Sequence, residues 1–209
     1  MDGTWTETPS GGSIITGESA LQIDRIDPDP LGAVGGPLAA QFVYYSNPAN
    51  NDNGTADPPV IRAPQNRLSL GSGDSCTLTA GNYYLSDVDL KNGSTLIIDD
   101  SAGPVNIYLT GAFNAGQGSQ ILVTATPSQF ALFSNSTRSI NLTNSSSVGG
   151  LIYAPYASVI INNSGDFYGS CWARNVEIKN AGNFYMDLAL LRRFLDNSIK
   201  LLSWKEVRV

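Results

Sequence analysis

Four aspartates in the middle of the chain could do chemistry, because they occur as two closely spaced pairs. Asp87 and Asp89 lie two positions apart on a predicted strand, and Asp99 and Asp100 follow about one structural repeat later. Glycosidases cleave sugars with two carboxyl groups about 5 to 9.5 Å apart, one protonated and one ionised. Aspartates at solvated strand ends and corners commonly bond backbone N–H groups instead. We therefore expect no catalytic activity, with a polysaccharide-cleaving enzyme as the alternative.

The same carboxylates are candidate ligands for calcium, which prefers oxygen atoms. The glycine–aspartate repeats of calcium-binding β-rolls are missing from the sequence. A lyase would also need a base to accept a proton, and Lys91 is the nearby candidate. We predict no cofactor, with calcium at Asp87, Asp89, Asp99 and Asp100 as the metal hypothesis for these carboxylates.

The chain contains no histidine, which excludes Ser-His-Asp and Cys-His catalysis and imidazole metal ligands. Cys171 has no evident partner to lower its thiol pKa, so it is interpreted as a small core residue. In the fold predicted below, Cys76 and Cys171 would lie several coils apart. A disulfide needs Cα atoms within about 7 Å, so we expect two buried free thiols, with a disulfide or a shared metal ion as the alternatives.

Five tyrosines recur at the end of a short pattern in which a bulky apolar residue precedes tyrosine. They are Tyr84, Tyr108, Tyr153, Tyr168 and Tyr185. If the preceding apolar residue faces the core of a strand, alternation turns each tyrosine outward. The pattern predicts a tyrosine ladder that could bind sugar rings or another protein. Coverage of the ladder by the N-terminal region or the final strand is the interpretation we favour.

The spacing of the pattern predicts the fold that positions these residues. One copy begins at Gly165 and the next at Gly182, and Val159 and Val176 repeat with the same spacing. This length suits one coil of a β-solenoid, in which each turn adds a short strand to its neighbours. We predict an all-β chain that forms a single-stranded, right-handed parallel β-helix of six to eight coils.

Three regions of one structural domain follow from this interpretation. Residues 1–75 form an irregular N-terminal segment that packs on or caps the solenoid, and residues 76–187 form the coils. The N-terminal segment includes three predicted short strands and an exposed, mobile loop, at Ser13–Gly17, Ala20–Asp24, Gln41–Tyr45 and Asn47–Pro59 respectively.

The last region, residues 188–209, has a different texture. Its apolar residues recur at helical spacing, with Arg192 and Arg193 on the other side. The apolar positions are Leu188, Leu190, Leu191, Phe194 and Leu195. This predicts a short amphipathic helix that caps the last coil, followed by a terminal strand.

Composition narrows the classes of partner. The formal net charge is −6, and nucleic-acid affinity depends mainly on Lys and Arg that neutralise phosphates, so no nucleic-acid partner is expected. The sequence has no run of about 18 apolar residues, and we predict no membrane span. Only 14% of the residues are charged, against about a quarter in ordinary globular domains, and Asn, Ser, Thr and Gly supply the surface polarity.

Several segments resemble the C-terminal domain of bacterial PilX-type pilus-assembly proteins. The resemblance spans about residues 20–207 and is carried by Cys76–Tyr84, the Leu-Ile-Tyr-Ala-Pro155 and Phe-Tyr-Gly-Ser170 segments, Asn183–Ala189, Ser203–Val207 and Asp29–Gly32. In that family the domain follows an apolar, pilin-like N-terminal helix. The motifs are structural rather than catalytic, so no family site residues are carried over.

The resemblance implies a non-enzymatic module on the bacterial cell surface. We expect an extracellular structural or adhesive ectodomain, associated with a pilus, whose partners are other pilus or cell-envelope proteins, with surface glycans as a further candidate. A carbohydrate-binding or polysaccharide-cleaving β-helix is the alternative.

Overall fold

Short strands separated by tight corners make up most of the molecule in this computed structural model. The structure describes residues 31–32, 37–125, 127–143, 147–162, 166–180 and 182–186. These residues contain one α-helix, α1 (Pro37–Ser46), and two 3₁₀ turns, Asn53–Thr55 and Pro127–Gln129. The strands are β1 (Ile61–Arg62), β2 (Arg67–Leu70), β3 (Ser75–Thr79), β4 (Gly81–Leu85), β5 (Val88–Leu90), β6 (Thr95–Asp99), β7 (Val105–Leu109), β8 (Phe113–Ala115), β9 (Gln120–Val123), β10 (Phe130–Ser134), β11 (Ile140–Thr143), β12 (Ser147–Asn162), β13 (Asp166–Ile178) and β14 (Asn183–Met186).

The strands stack in parallel register along three sides of a coil. One side runs β4-β7-β10-β12-β13-β14, the second runs β2-β5-β8-β11 and on to the later parts of β12 and β13, and the third is β3-β6-β9. The predicted β-solenoid is therefore confirmed. It has about five turns rather than six to eight. The early coils contain three strands each. They use more residues per coil than the spacing from Gly165 to Gly182 predicts, because Tyr84 pairs with Tyr108.

The interior of the solenoid is a continuous apolar core. Alternate residues of each strand point inward and stack on their counterparts in the next coil, as Tyr83, Ile107, Leu132 and Ile152 do in one column. Stacking removes these side chains from water, and each large one stabilises the fold by roughly 1.5–3 kcal/mol. The predicted neighbours Phe167 and Phe184 also lie in register, with ring centroids 5.1 Å apart.

Glycines build one of the corners in successive coils. Gly73, Gly93 and Gly118 each end a two-residue turn and have φ of 77°, 71° and 68°, a left-handed conformation that glycine adopts without a Cβ clash. The Gly73 N–H donates to the Asn92 carbonyl, and the Gly93 N–H donates to the Gln117 carbonyl. The corners are therefore hydrogen-bonded to one another from coil to coil.

Residues before the first coil cap its three strand edges. Strand β1 pairs with β2 in antiparallel fashion, and Asp57 forms an antiparallel bridge with Thr77 of β3. On β4, the Asp52 carboxylate accepts from the Asn82 N–H at 2.7 Å. The Asn53 amide accepts from the Tyr84 N–H at 3.0 Å and donates to the Tyr84 carbonyl at 2.8 Å. Side chains thus take the place of a neighbouring strand, which leaves these edges unable to recruit another chain.

This arrangement bears on three predictions for the N-terminal region. The predicted loop Asn47–Pro59 is largely exposed, as expected, and its mobility stays a prediction. Asp52 and Asn53 within the loop bond β4 of the first coil. The first coil begins at β2, upstream of Cys76. The predicted strand Gln41–Tyr45 is wrong, because these residues lie in α1. The segment is too short for its apolar spacing to distinguish the helical period from the strand period. Leu38, Phe42 and Tyr45 lie on one helix face, which packs on the solenoid.

Other sequence predictions fall outside the described residues. These are the strands Ser13–Gly17 and Ala20–Asp24, and the amphipathic helix and terminal strand in residues 188–209. Within the described part of the chain, no helix is both long enough and apolar enough to cross a membrane.

Candidate functional site

The first pair of predicted carboxylates is engaged by cations and backbone. Asp87 accepts from the Ala112 N–H of the next coil at 3.0 Å and from the Arg138 guanidinium at 3.2 Å. Asp89 lies between Arg67, at 2.9 Å, and Lys91, at 2.8 Å. These contacts tie one coil to the next and leave each carboxylate with a positive partner.

The second pair holds a corner at the end of β6. The Ser101 hydroxyl donates to Asp99 at 2.6 Å, and this hydrogen bond holds the pKa of Asp99 below its ordinary value. Asp100 is buried and accepts from the Ala125 N–H of the next coil at 2.7 Å. Asp99 and Asp100 therefore bond backbone and hydroxyl groups, as corner aspartates do.

The predicted calcium site is not assembled. Across the described residues, no three or more Asp, Glu or Cys side chains are grouped so that they could hold a metal ion. Asp87 and Asp89 contact different cations, and Asp99 and Asp100 are held at one corner. Calcium needs about 6–8 oxygens around one point. The geometry gives the calcium hypothesis no support.

The predicted tyrosine ladder divides into two columns. Tyr84, Tyr108 and Tyr153 do lie in one outward-facing column, but its remaining members are not the predicted tyrosines. In register, the column reads Tyr84, Tyr108, Phe133, Tyr153 and Trp172. The structure adds Phe133 and Trp172 to the sequence prediction and removes Tyr168 and Tyr185 from this column.

Helix α1 covers most of the first column. The Phe42 ring meets Tyr108 edge to face at 5.5 Å, and Tyr45 stacks on Tyr108 at 4.7 Å. Tyr108 and Tyr153 are buried beneath the helix. Coverage by the N-terminal region, which we favoured, thus holds for these two tyrosines.

The second column contains Gly149, Tyr168 and Tyr185. The Tyr168 and Tyr185 rings stack with centroids 4.7 Å apart and an interplanar angle of 9°. Both side chains are exposed, by 42% and 48%. Gly149 has no side chain to continue the stack, so the column ends at Tyr168 on that side.

Tyr168, Tyr185 and Trp172 together form what we term the aromatic face. Trp172 is four positions after Tyr168 on β13, which places it on the same side of the strand and about 13 Å away, and it is 39% exposed. Beside the tyrosines, the Asn183 amide donates to Asp166 at 2.8 Å. Partial desolvation, followed by the charge of Asp166, raises the pKa of Tyr168. Exposed aromatic rings beside hydrogen-bonding groups are a common composition of recognition surfaces.

A glycine pattern in the sequence indicates the observed register between β12 and β13, although the tyrosine pattern suggests another. Gly150 pairs with Gly169, not with Gly165. The segment Gly150-Leu-Ile-Tyr153 therefore stacks on Gly169-Ser-Cys-Trp172, a match of glycine, two residues and an aromatic ring. Pairing the glycines first would have placed Trp172 under Tyr153.

The two cysteines are free thiols, as expected, but only Cys76 is buried as predicted. Cys76 is buried in the first coil, and burial raises its pKa to about 11. Cys171 follows Ile152 in an inward column and is partly exposed, and desolvation raises its pKa to about 12. Neither thiol is in the ionised form that a nucleophile at neutral pH requires.

Comparison with known proteins gives a family but no activity. No curated protein and no solved structure matches the chain significantly. A family described as a domain of unknown function, DUF7305, matches residues 86–193, which include most of the solenoid and all of the aromatic face. The chain therefore belongs to the DUF7305 family.

Proposed function

We propose that the chain is a non-enzymatic structural and adhesive module, displayed on the bacterial cell surface as part of a pilin-like or pilus-associated protein. The observation that carries the proposal is the use of its carboxylates: Asp87, Asp89, Asp99 and Asp100 secure coils to one another. A stack with hydrogen-bonded corners and capped first edges is suited to act as a rigid spacer. The resemblance to PilX-type proteins supports the location.

The adhesive part of the proposal rests on the aromatic face. Three large rings lie on one side of the later coils with 39% to 48% of their surface exposed. Aromatic residues provide much of the binding energy of recognition surfaces, because each buries a large area and loses few rotamers. The expected partners are cell-envelope or pilus proteins.

Fractionation of the source cells tests the location and role. Antibody against the chain is expected to label intact cells and to detect the chain in pili sheared from the surface. The purified protein is expected to release no reducing ends from a panel of neutral and acidic polysaccharides. Detection in the cytosolic fraction alone, or hydrolysis that is lost in Asp87→Asn or Asp89→Asn, would contradict the proposal.

Carbohydrate binding is the second candidate, favoured by the open ring of Tyr168. Gly149 stands where another ring would continue the stack. In this candidate, a pyranose ring would stack on Tyr168 at that position, with Asp166 and Asn183 as neighbouring hydrogen-bonding groups. Sugar rings present apolar C–H faces that stack on aromatic rings, while their hydroxyls need polar partners.

A glycan array with matched tyrosine variants tests this candidate. Tyr168→Ala is expected to reduce binding of any recognised glycan at least tenfold. Tyr44→Ala removes another exposed tyrosine, from α1, and is expected to leave binding unchanged. Equal losses in both variants, or no glycan bound at all, would rule out a specific saccharide site at Tyr168.

A further inference from the structure

The last coil leaves inward-facing apolar residues open to solvent. Val176 and Ile178 pair with Val159 and Ile161 and occupy the same columns. Val159 and Ile161 are 0% and 1% exposed, whereas Val176 and Ile178 are 40% and 49% exposed.

The strand beside them shows the same change. Phe184 pairs with the buried Phe167 but is partly exposed, and Met186 at the end of β14 is 58% exposed. We term Val176, Ile178, Phe184 and Met186 the terminal face. It is a cross-section at the end of the stack rather than part of its outer wall, because all four residues continue inward columns.

The first coil shows how this molecule treats such an end. There, β1, Asp57 and the Asp52–Asn53 pair satisfy all three strand edges with residues from the same chain. The terminal face has no equivalent cover from described residues. Solenoids need a cap at each end, because an open end recruits other chains.

The chain supplies a segment of suitable length, position and composition for that cover. It continues from β14 through residues 187–209, and so it starts at the rim of the terminal face. Within that segment, Leu188, Leu191 and Leu195 recur every three or four residues, and Arg192 and Arg193 fall between them. Such a pattern favours burial of one side against an apolar surface.

We propose that the terminal face is an intramolecular docking surface whose occupant is the chain's own segment 187–209. Docking buries the four apolar side chains and blocks end-to-end stacking of a second copy. The inference concerns assembly of the solenoid and does not depend on the proposed surface location or ligand.

Cys171 provides a reporter for this contact within the full chain. Cys171 lies in an inward column of β13, the strand that pairs with β14. Cys76 is buried in the first coil, far from the terminal face. Single-thiol chains, made with Cys76→Ala or Cys171→Ala, allow each thiol to be labelled separately with a disulfide reagent at mildly alkaline pH. In the otherwise native chain, both thiols are expected to label slowly.

Two double variants of the full chain separate docking from a general effect. Leu191→Asp with Phe194→Asp places charge on the apolar side and is expected to speed labelling of Cys171 at least tenfold, with labelling of Cys76 unchanged. Arg192→Asp with Arg193→Asp introduces the same residue on the opposite side and is expected to leave both rates within twofold. The first variant is also expected to self-associate in sedimentation, because its terminal face is uncovered.

Three outcomes would overturn the proposal. Fast labelling of Cys171 in the native chain would show an uncovered face, whatever the variants do. An unchanged Cys171 rate in the Leu191→Asp, Phe194→Asp chain would show that the segment is not the cover. Protection of Cys171 that grows with protein concentration, together with a dimer in sedimentation, would assign the face to a second copy of the chain instead.

Discussion

The early coils and the later coils stack in the same parallel manner but differ in cross-section. The early coils have three strands each, and Tyr84 pairs with Tyr108 across one complete coil. The later coils have two long segments, β12 and β13, and Tyr168 pairs with Tyr185, a visibly shorter step along the sequence. The first coil is capped and α1 covers rings of β7, β10 and β12, whereas the aromatic face lies on β13 and β14.

One inner column shows a decrease in side-chain size from the first coil to the last. One column reads Leu85, Leu109, Ser134, Ala154 and Ala173 from first coil to last. Interiors are close-packed, so the smaller residues of this column indicate less room at this position in the later coils. The comparison teaches that coil length and side-chain volume decrease together in this column.

The largest effect is expected where two narrow coils touch through glycine. A Cβ on Gly169 would overlap the Gly150 carbonyl oxygen, so Gly169→Ala must displace backbone. We expect it to lower the free energy of unfolding by about 3 kcal/mol or more, measured by urea denaturation.

Gly93→Ala is the matched variant in a wide coil. Gly93 has a left-handed φ but no atom within 4 Å of an added Cβ, so only backbone strain of about 1 kcal/mol is expected. A cost for Gly93→Ala equal to that of Gly169→Ala would remove the proposed difference between the regions.

Reciprocal changes in the tapering column test the link between coil length and volume. Leu109→Ala opens a cavity in a wide coil and is expected to cost about 3 kcal/mol. Ala154→Leu overpacks a narrower coil and is expected to cost about 2 kcal/mol. Both residues are fully buried. A neutral or stabilising Ala154→Leu would show that the later coils have spare volume.

The capped end should be weakened by loss of the Asn53 side chain. Asn53→Ala removes two hydrogen bonds to β4 and leaves the Tyr84 N–H and carbonyl without their partner, so we expect a loss of about 2 kcal/mol. Asn53→Asp keeps the acceptor but not the donor. Its midpoint of thermal denaturation is expected to fall between those of Asn53→Ala and the native chain.

Asn141→Ala, which breaks an exposed amide pair with Asn114, serves as the control. Its expected cost is about 0.5 kcal/mol or less, as for most surface substitutions.

The smallest effect is expected from the thiols at alkaline pH. Burial raises the pKa of Cys76 from 9.0 to about 11 and that of Cys171 to about 12. The native state therefore favours the protonated thiols, and this contribution to stability is complete below pH 9 and is lost as pH rises through 11 and 12. Urea midpoints are expected to change less with pH, over the range from neutral to pH 11, in a Cys76→Ala, Cys171→Ala chain. An equal pH dependence of the urea midpoint in the native and the double-variant chains would contradict the assigned burial of the thiols.

The sequence predicted the solenoid but not its register. Apolar alternation with regular spacing is a property of each strand and its repeat, and it was sufficient to place Phe167 over Phe184. The register between two coils depends on where small residues permit close contact of their backbones. The pairing of Gly150 with Gly169 can be predicted only if the coils are assumed to differ in length. That error moved Tyr168 into the wrong column and omitted Trp172 from the site.

The capping residues and α1 were hidden for a different reason. Asp52 and Asn53 lie in a stretch without apolar residues, which is typical of mobile loops, and their role appears only when β4 is adjacent. Phe42 and Tyr45 fit a strand as well as a helix over so few residues, and contact with Tyr108 favours the helix. In both cases tertiary contacts override a local pattern.

The hydrogen bonds that join corner to corner and strand to strand run along the long axis of the stack. Tension applied along that axis would load one layer of bonds at a time rather than all layers together. The coils would then detach in succession, and each detached coil would lengthen the tether by its own extended chain. The wide coils near the capped end would release more length per step than the narrow ones, so the molecule would yield unevenly along its length.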